Sequence, residues 1–199
     1  MTDDALTEVL TAAQAVGDLG PAPIAHHLEH ARRLARAFSE APPAFLDLGT
    51  GAGVPGLVLL AEWPETSAIF VDASTARMDR LRTRLDVLGF SARAEVVAER
   101  AEVVGRSALR DSQDLVLARA FGAPAVTAEC ARPLLRVGGV LLVSEPPEAD
   151  ADRWPVEGLA QLGFERRGDV SGWAALHAVR EVAETFPRRT GVPSRRPLW

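Results

Sequence analysis

The twelve residues from Phe45 to Gly56 constrain the fold of this chain more than any other segment. They read Phe-Leu-Asp-Leu-Gly-Thr-Gly-Ala-Gly-Val-Pro-Gly, an apolar run followed by closely spaced glycines. Glycine lets the backbone adopt positive φ and approach a bound ligand closely. A helix that begins near Pro55 would present its unpaired N–H groups to that ligand. The pattern predicts a strand over 44–48, a ligand-binding loop, and a helix over 55–61.

After this loop, apolar runs alternate with amphipathic stretches, as is typical of a parallel sheet covered by helices on both faces. We predict strands over 68–71, 93–97, 114–118 and 139–143, and helices over 75–88, 101–107, 123–135 and 152–162. Two more strands, 164–170 and 173–182, would form a hairpin that adds an antiparallel strand. The fold class is therefore α/β and Rossmann-like, with a seven-stranded, mostly parallel sheet.

The first 41 residues differ from the rest. Helices are predicted over 5–16 and 22–38, so we expect an N-terminal helical extension over 1–41 and one larger domain over 42–199. In the later helix over 75–88, the apolar spacing turns four side chains inward, namely Met78, Leu81, Leu85 and Leu88. The arginines of that helix are expected to face largely outward, namely Arg77, Arg80 and Arg84.

The glycine loop admits two ligands. Gly51, Gly53 and Gly56 match the dinucleotide pattern G-x-G-x-x-G, and Asp72 follows Gly51 at close to the expected spacing. Read from Asp47, the pattern is D-x-G-x-G-x-G, which is typical of methyltransferases that use S-adenosylmethionine (SAM). We favour SAM, because a carboxylate at Asp47 would attract the methionine ammonium and repel a pyrophosphate. A glycine turn with a purely structural role is the third alternative.

Other candidate site residues follow predicted strands. Asp72 can accept both ribose hydroxyls of a nucleoside; its alternative role is to cap the next helix, for which Ser74 is better placed. Ala101 and Glu102 can read the edge of an adenine, or simply begin a helix. Arg119 ends a strand at the expected cleft, where an arginine requires an anion. The anion would be the SAM carboxylate or a substrate phosphate.

Several chemistries have little support. The only cysteine, Cys130, lies in the middle of a predicted helix, which speaks against a disulfide and against a cysteine nucleophile. His26 and His30 form an i, i+4 pair beside Glu29 that could bind a metal, but no further ligand is evident, so we predict no metal site. No apolar run is long enough to span a bilayer, and the acidic N-terminus is unlike a signal peptide. We expect a cytoplasmic, monomeric protein.

Charge is distributed unevenly along the chain. Its 22 basic residues are all arginines, and the net charge is −5. The tail over 186–199 has four positive charges and no acid, so the rest of the chain carries −9. A basic tail on an acidic body favours contact with nucleic acid, although a solvated tail of arbitrary charge is the simpler alternative. The candidate RNA-binding residues are Arg188, Arg189, Arg195 and Arg196.

Four segments together resemble the GidB/RsmG family, the 16S ribosomal RNA guanine-N7 methyltransferases. They are Asp47–Gly56, Arg100-Ala-Glu102, Ala118-Arg-Ala-Phe121 and the tail Phe186-Pro-Arg-Arg-Thr-Gly-Val-Pro-Ser-Arg-Arg-Pro-Leu198. The resemblance implies a class I SAM-dependent methyltransferase that acts on ribosomal RNA or the small ribosomal subunit. By the same resemblance the SAM-binding residues are Gly49, Val54, Ala101, Glu102 and Arg119.

The chain also departs from that family. His26-x-x-Glu29 stands where the family has His-x-x-Asp, and an acidic segment over 145–152 follows the strand after which the family has Lys-Gly. Acids beside the site would weaken the binding of RNA phosphates. Two alternatives therefore stay open: a divergent paralogue that methylates a small molecule, and a non-catalytic SAM-binding protein that binds a partner through its tail.

Overall fold

Helices and strands alternate along the chain, as the sequence pattern predicts, and they form two units that divide between Glu99 and Arg100. The structure, a computed structural model, describes residues 3–146 and 148–199, without the side chain of residue 151. The first unit contains α1 (Asp3–Ala15), α2 (Ile24–Arg36), β1 (Ala44–Leu48), α3 (Gly56–Glu62), β2 (Ser67–Asp72), α4 (Thr75–Leu88) and β3 (Ala94–Ala98).

In the first unit, β2 pairs in parallel with both β1 and β3. Leu48, the last residue of β1, lies opposite Val71, so the loop that follows β1 begins beside Asp72. The rings of Phe45 and Phe70 meet edge to face in the buried core. The sheet register thus places the glycine loop next to Asp72, and both are predicted to belong to the ligand-binding site.

The second unit contains α5 (Ala101–Val104), β4 (Gln113–Ala118), α6 (Pro124–Ala131), β5 (Leu135–Ser144), α7 (Val156–Gln161), β6 (Phe164–Val170), β7 (Trp173–Ala178) and α8 (Val192–Arg195). β4 and β5 are parallel, whereas β7 pairs antiparallel with both β5 and β6. The hairpin predicted around Ser171 and Gly172 is therefore present, and its second strand is the antiparallel one.

Among the described residues there are seven strands, ordered β3-β2-β1 in the first unit and β4-β5-β7-β6 in the second, and the predicted α/β fold class is confirmed. Both N-terminal helices belong to the first unit, where α1 packs against α2 and α4. The division into an extension over 1–41 and a domain over 42–199 stays a prediction.

Helix α4 has the bounds that the sequence predicts, because both of its ends are specified locally. Ser74 caps the N-terminus by accepting the Arg77 N–H, and Gly89 ends the helix in the left-handed conformation, at φ 71°. The four predicted inward side chains are buried. The prediction that the arginines of this helix face outward is wrong for Arg84, which is buried against the carboxylate of Asp18.

The prediction of one helix over 123–135 is also wrong. α6 ends at Ala131, a short 3₁₀ helix follows over Arg132–Leu134, and β5 begins at Leu135 rather than at Gly139. Pro133 has no N–H for a helical bond, and its carbonyl instead accepts the N–H of Asp111. Pairing with the segment before β4 therefore pulls this stretch into the sheet.

Candidate functional site

The glycine loop after β1 has a backbone that requires glycine. Gly49, Gly51 and Gly53 all have positive φ, at 70°, 55° and 96°. The N–H groups of Gly49 and Thr50 both point back to the carbonyl of Val71, at 2.7 and 3.0 Å. The loop is thus folded onto the end of β2, with Gly49 and Gly51 partly accessible to a ligand.

Asp47 stabilises this loop by accepting hydrogen bonds from both of its ends. Its side chain is buried, and Oδ2 accepts hydrogen bonds from the Thr50 hydroxyl at 2.9 Å and from the Gly56 N–H at 3.0 Å. One carboxylate oxygen therefore ties the beginning of the loop to the first residue of α3. The predicted role of Asp47 toward a methionine ammonium stays a prediction, and this organising role is one that the sequence pattern did not indicate.

Asp72 joins the loop to the next helix. Oδ2 accepts the N–H of Gly51 at 3.0 Å, and Oδ1 accepts the N–H of Ser74 at 2.9 Å. Because Ser74 itself caps α4, Asp72 is not needed as the cap. Its side chain is 10% exposed and lies beside two half-buried glycines, Gly49 and Gly51, whereas Val54 is buried.

A carboxylate that the sequence analysis missed lies next to this loop. Asp18, between α1 and α2, binds the guanidinium groups of Arg80 and Arg84, and Arg77 lies 3.8 Å away. These hydrogen bonds, that of Arg80 foremost, hold the pKa of Asp18 below its ordinary value against the opposing effect of burial. Asp18 lies 62 residues before Arg80, so no local pattern marks the pair.

In the second unit, Glu102 connects the beginning of α5 to the C-terminal tail. Its Oε1 accepts the Gly191 N–H at 2.8 Å and a hydrogen bond from Arg100 at 3.3 Å. Burial tends to raise the pKa of Glu102, but these bonds leave it below its ordinary value. Ala101 and Glu102 are both buried. Their predicted contacts with adenine stay predictions.

Arg119 directly follows the end of β4 and is half-buried, and its predicted role as an anion partner is untested. Cys130 is buried in α6, and desolvation raises the pKa of its thiol. Glu29, which lies beside the two histidines considered as metal ligands, forms an ion pair with Arg36. The described residues include no group of three or more His, Cys, Asp or Glu suited to a metal.

The four tail arginines are not equivalent. The guanidinium of Arg188 binds both carboxylate oxygens of Glu129 on α6, at 2.8 and 2.5 Å, and its backbone N–H donates to Oε1 at 2.9 Å. Glu129 is fully buried, so this pair anchors the tail. Arg189, Arg195 and Arg196 are exposed. The prediction of phosphate contacts thus applies to these three, whereas the charge of Arg188 is already balanced.

The segment that leads into the tail and includes its first two residues is held through its main chain. We call residues 180–187 the strap. Arg106 donates to the carbonyls of Thr185 and Pro187, and Arg110 donates to those of Val182 and Phe186. Arg132, which is fully buried, donates to the carbonyl of Arg180. The strap is therefore fixed to the second unit by arginines from three positions in the chain.

The last residue is also docked. The Trp199 Nε1 donates to the carbonyl of Arg153 at 3.2 Å, and its ring occupies the space where Gly158 lacks a side chain. In the acidic segment, Glu145 accepts from the Trp154 Nε1 at 2.9 Å and pairs with Arg153 at 3.4 Å. Pro147 lies outside the described residues. The acidic segment thus has at least one carboxylate that serves the fold.

Comparisons with known proteins agree with this architecture. A family model named GidB and described as rRNA small subunit methyltransferase G matches residues 10–150. A ribosomal RNA small subunit methyltransferase G of Chloroflexus aggregans is 34% identical in an alignment 190 residues long that covers 88% of this chain and 78% of that protein. One of Syntrophomonas wolfei is 30% identical in an alignment 191 residues long that covers 89% of this chain and 87% of that protein.

Among solved structures, the O-methyltransferase TomG of Streptomyces achromogenes, in complex with SAM, has the same fold. The TM-score is 0.56 at 16% sequence identity, with 88% of both chains covered. Separately, none of the helices in the described part of this chain is both long and apolar enough to cross a membrane.

Proposed function

The chain belongs to the GidB family of rRNA small subunit methyltransferases G, and on that premise we propose that it transfers a methyl group from SAM to N7 of a guanine in 16S ribosomal RNA. The observation that carries the proposal is the glycine loop bounded by Asp47 and Asp72 in the first unit. Cytoplasmic location and a monomeric state stay predictions.

The residues of this loop fit SAM. Gly49 and Gly51 are half-buried and lack a side chain where a ligand would approach, and the Asp72 carboxylate lies beside them. A carboxylate offers enough lone pairs to accept two ribose hydroxyls in addition to the Gly51 and Ser74 N–H groups. In the first unit Asp47, Gly49, Gly51, Val54 and Asp72 would hold the ligand. Ala101, Glu102 and Arg119 are further candidates from the sequence.

For this reaction the protein mainly has to position the guanine and SAM relative to each other. SAM supplies an electrophilic methyl group, and guanine N7 has an in-plane lone pair and no proton to remove. A general base is therefore unnecessary, and we assign none. The chain has to hold the guanine in line with the methyl group and exclude water. Arg119 is the candidate for orienting an anionic group during this step.

We expect Asp72→Asn to weaken SAM binding by about tenfold, since charge-assisted hydrogen bonds each contribute about 1.5–3 kcal/mol at most. Asparagine keeps an oxygen that can accept from Gly51, so the loop should stay folded. Calorimetry with SAM measures the affinity. Asp79→Asn is the matched control, because Asp79 is an exposed carboxylate on α4 that pairs with Arg82. Equal affinity in both variants would leave Asp72 with a structural role only.

We expect the tail to bind RNA phosphates through Arg189, Arg195 and Arg196. Release of counterions at three phosphates contributes roughly 2.1 to 2.7 to the magnitude of the log–log salt slope. Replacing all three with glutamine should reduce the slope by that amount and leave SAM affinity unchanged. The matched control is a triple glutamine variant of arginines that already pair with acids, namely Arg82, Arg136 and Arg167. The same loss of slope in the control would point to net charge rather than to the tail.

The reaction is tested on 16S ribosomal RNA from cells that lack the gene, with and without its restoration. We expect one N7-methylated guanine that depends on the gene and that disappears with Asp72→Asn at limiting SAM. Methyl label that enters a small molecule while the RNA stays unlabelled would favour the divergent paralogue. Tight SAM binding without any transfer would favour the non-catalytic alternative.

A further inference from the structure

The carboxylate of Asp18 lies among three guanidinium groups. Its side chain is only 2% exposed, yet it meets Arg80 through two bonds of 2.8 and 2.5 Å, Arg84 at 2.6 Å and Arg77 at 3.8 Å. Three guanidinium groups thus share one carboxylate. Arg84 is nearly buried, whereas Arg77 and Arg80 remain more than two-fifths exposed.

This cluster borders the glycine loop. Nη1 of Arg84 reaches the carbonyl of Ala52 at 3.4 Å, and a Cβ added to Gly51 would lie 3.7 Å from the carbonyl oxygen of Asp18. The segment between α1 and α2 therefore lies against the loop that we propose binds SAM. We therefore expect substitutions of Asp18 to affect the binding of SAM by this loop.

Arg77 lies between two carboxylates. Its Nε is 3.8 Å from Asp18 Oδ1, and its Nη1 is 4.0 Å from Asp72 Oδ2, so neither contact is a full hydrogen bond. An arginine that closed onto Asp72 would form short, bidentate bonds to both carboxylate oxygens. Those are the oxygens that would accept the ribose hydroxyls. Arg77 is therefore placed to compete with a ligand for the Asp72 carboxylate.

We propose that Asp18 is a positioning residue for SAM binding: it shares Arg77 with Asp72, keeps the guanidinium from closing onto Asp72, and so leaves the Asp72 carboxylate available to the ribose hydroxyls. The inference rests on the proposed function. It assigns to the segment between α1 and α2 a role in ligand affinity that acts through Arg77, in addition to its packing.

The test compares Asp18→Asn with the double variant Asp18→Asn/Arg77→Met. Asp18→Asn should weaken SAM binding and raise the KM for SAM by about tenfold, the cost of about one charge-assisted hydrogen bond, with kcat unchanged at saturating SAM. Adding Arg77→Met should restore the affinity to within about twofold of the wild type. A merely structural role predicts no such restoration, because the second substitution removes one more contact. Asp79→Asn on the same helix is the control.

The outcomes separate the two claims. If the wild type does not bind SAM, the proposed function and this inference both fail. If the wild type binds and Asp18→Asn binds equally well, or if Arg77→Met gives no restoration, the inference alone is overturned. Should Asp18→Asn not fold, Arg77→Met in the wild-type background decides: unchanged or tighter SAM binding supports the inference, and weaker binding overturns it.

Discussion

Replacing Arg188 with methionine is expected to lower the free energy of unfolding by about 3–5 kcal/mol, the usual cost of leaving a buried charge without its partner. Glu129 is 0% exposed, and Arg188 supplies both side-chain bonds to its carboxylate. The midpoint of urea denaturation, followed by tryptophan fluorescence, measures the change.

Arg189→Met is the matched control for this prediction. Arg189 is the next residue and is exposed, so its replacement should change the free energy of unfolding by no more than about 0.5 kcal/mol. A double variant with Glu129→Gln should recover part of the loss, because the unpaired charge is then absent. Equal effects of the two arginine substitutions would contradict the assignment of Arg188 as the anchor of the tail.

Gly56→Ala is expected to destabilise the protein by about 3 kcal/mol or more and to abolish SAM binding. A Cβ at Gly56 would lie 2.8 Å from Asp47 Oδ2 and closer still to the ring of Phe70. Both side chains are buried, so the added methyl group overpacks the core. The clash would also disturb the bond between Asp47 and the Gly56 N–H, which closes the glycine loop.

Gly20→Ala is the control for Gly56→Ala. A Cβ at Gly20 meets nothing within 4 Å, so this substitution should leave the thermal midpoint unchanged or slightly raised. Scanning calorimetry and SAM titration of both variants give the comparison. If Gly56→Ala folded with wild-type stability and bound SAM normally, the close packing of Gly56 against Asp47 would have no functional consequence.

The sequence predicts a helix or strand well where nearby residues determine its two ends. The bounds of α4 are specified by Ser74 and Gly89, and its apolar spacing gives the buried face. The glycine loop is similarly local, since glycine is the residue type that readily adopts the positive φ found at Gly49 and Gly51. For the same reason the α/β fold class could be deduced from the alternation of elements.

The sequence predicts the environment of a residue poorly where its interaction partner is distant in the sequence. Arg84 is buried because Asp18, 66 positions earlier, neutralises it. Leu135 is in a strand rather than a helix because it pairs with Gln113. In the tail, the charge of Arg188 appeared available for RNA until the structure placed Glu129 beside it. No pattern within a window of a few residues contains these relationships.

The conformation of the strap is fixed mainly by hydrogen bonds to its backbone rather than by its exposed side chains. Arg106, Arg110 and Arg132 all bond to its carbonyl oxygens, which every amino acid possesses. Four exposed side chains of the strap make no contact that this arrangement needs and are accordingly interchangeable, namely Glu181, Ala183, Glu184 and Thr185. One residue added or removed would shift the following carbonyls by about 3.3–3.6 Å and separate them from their donors. In this segment the number of residues is constrained, while the identity of those four residues is left free to vary.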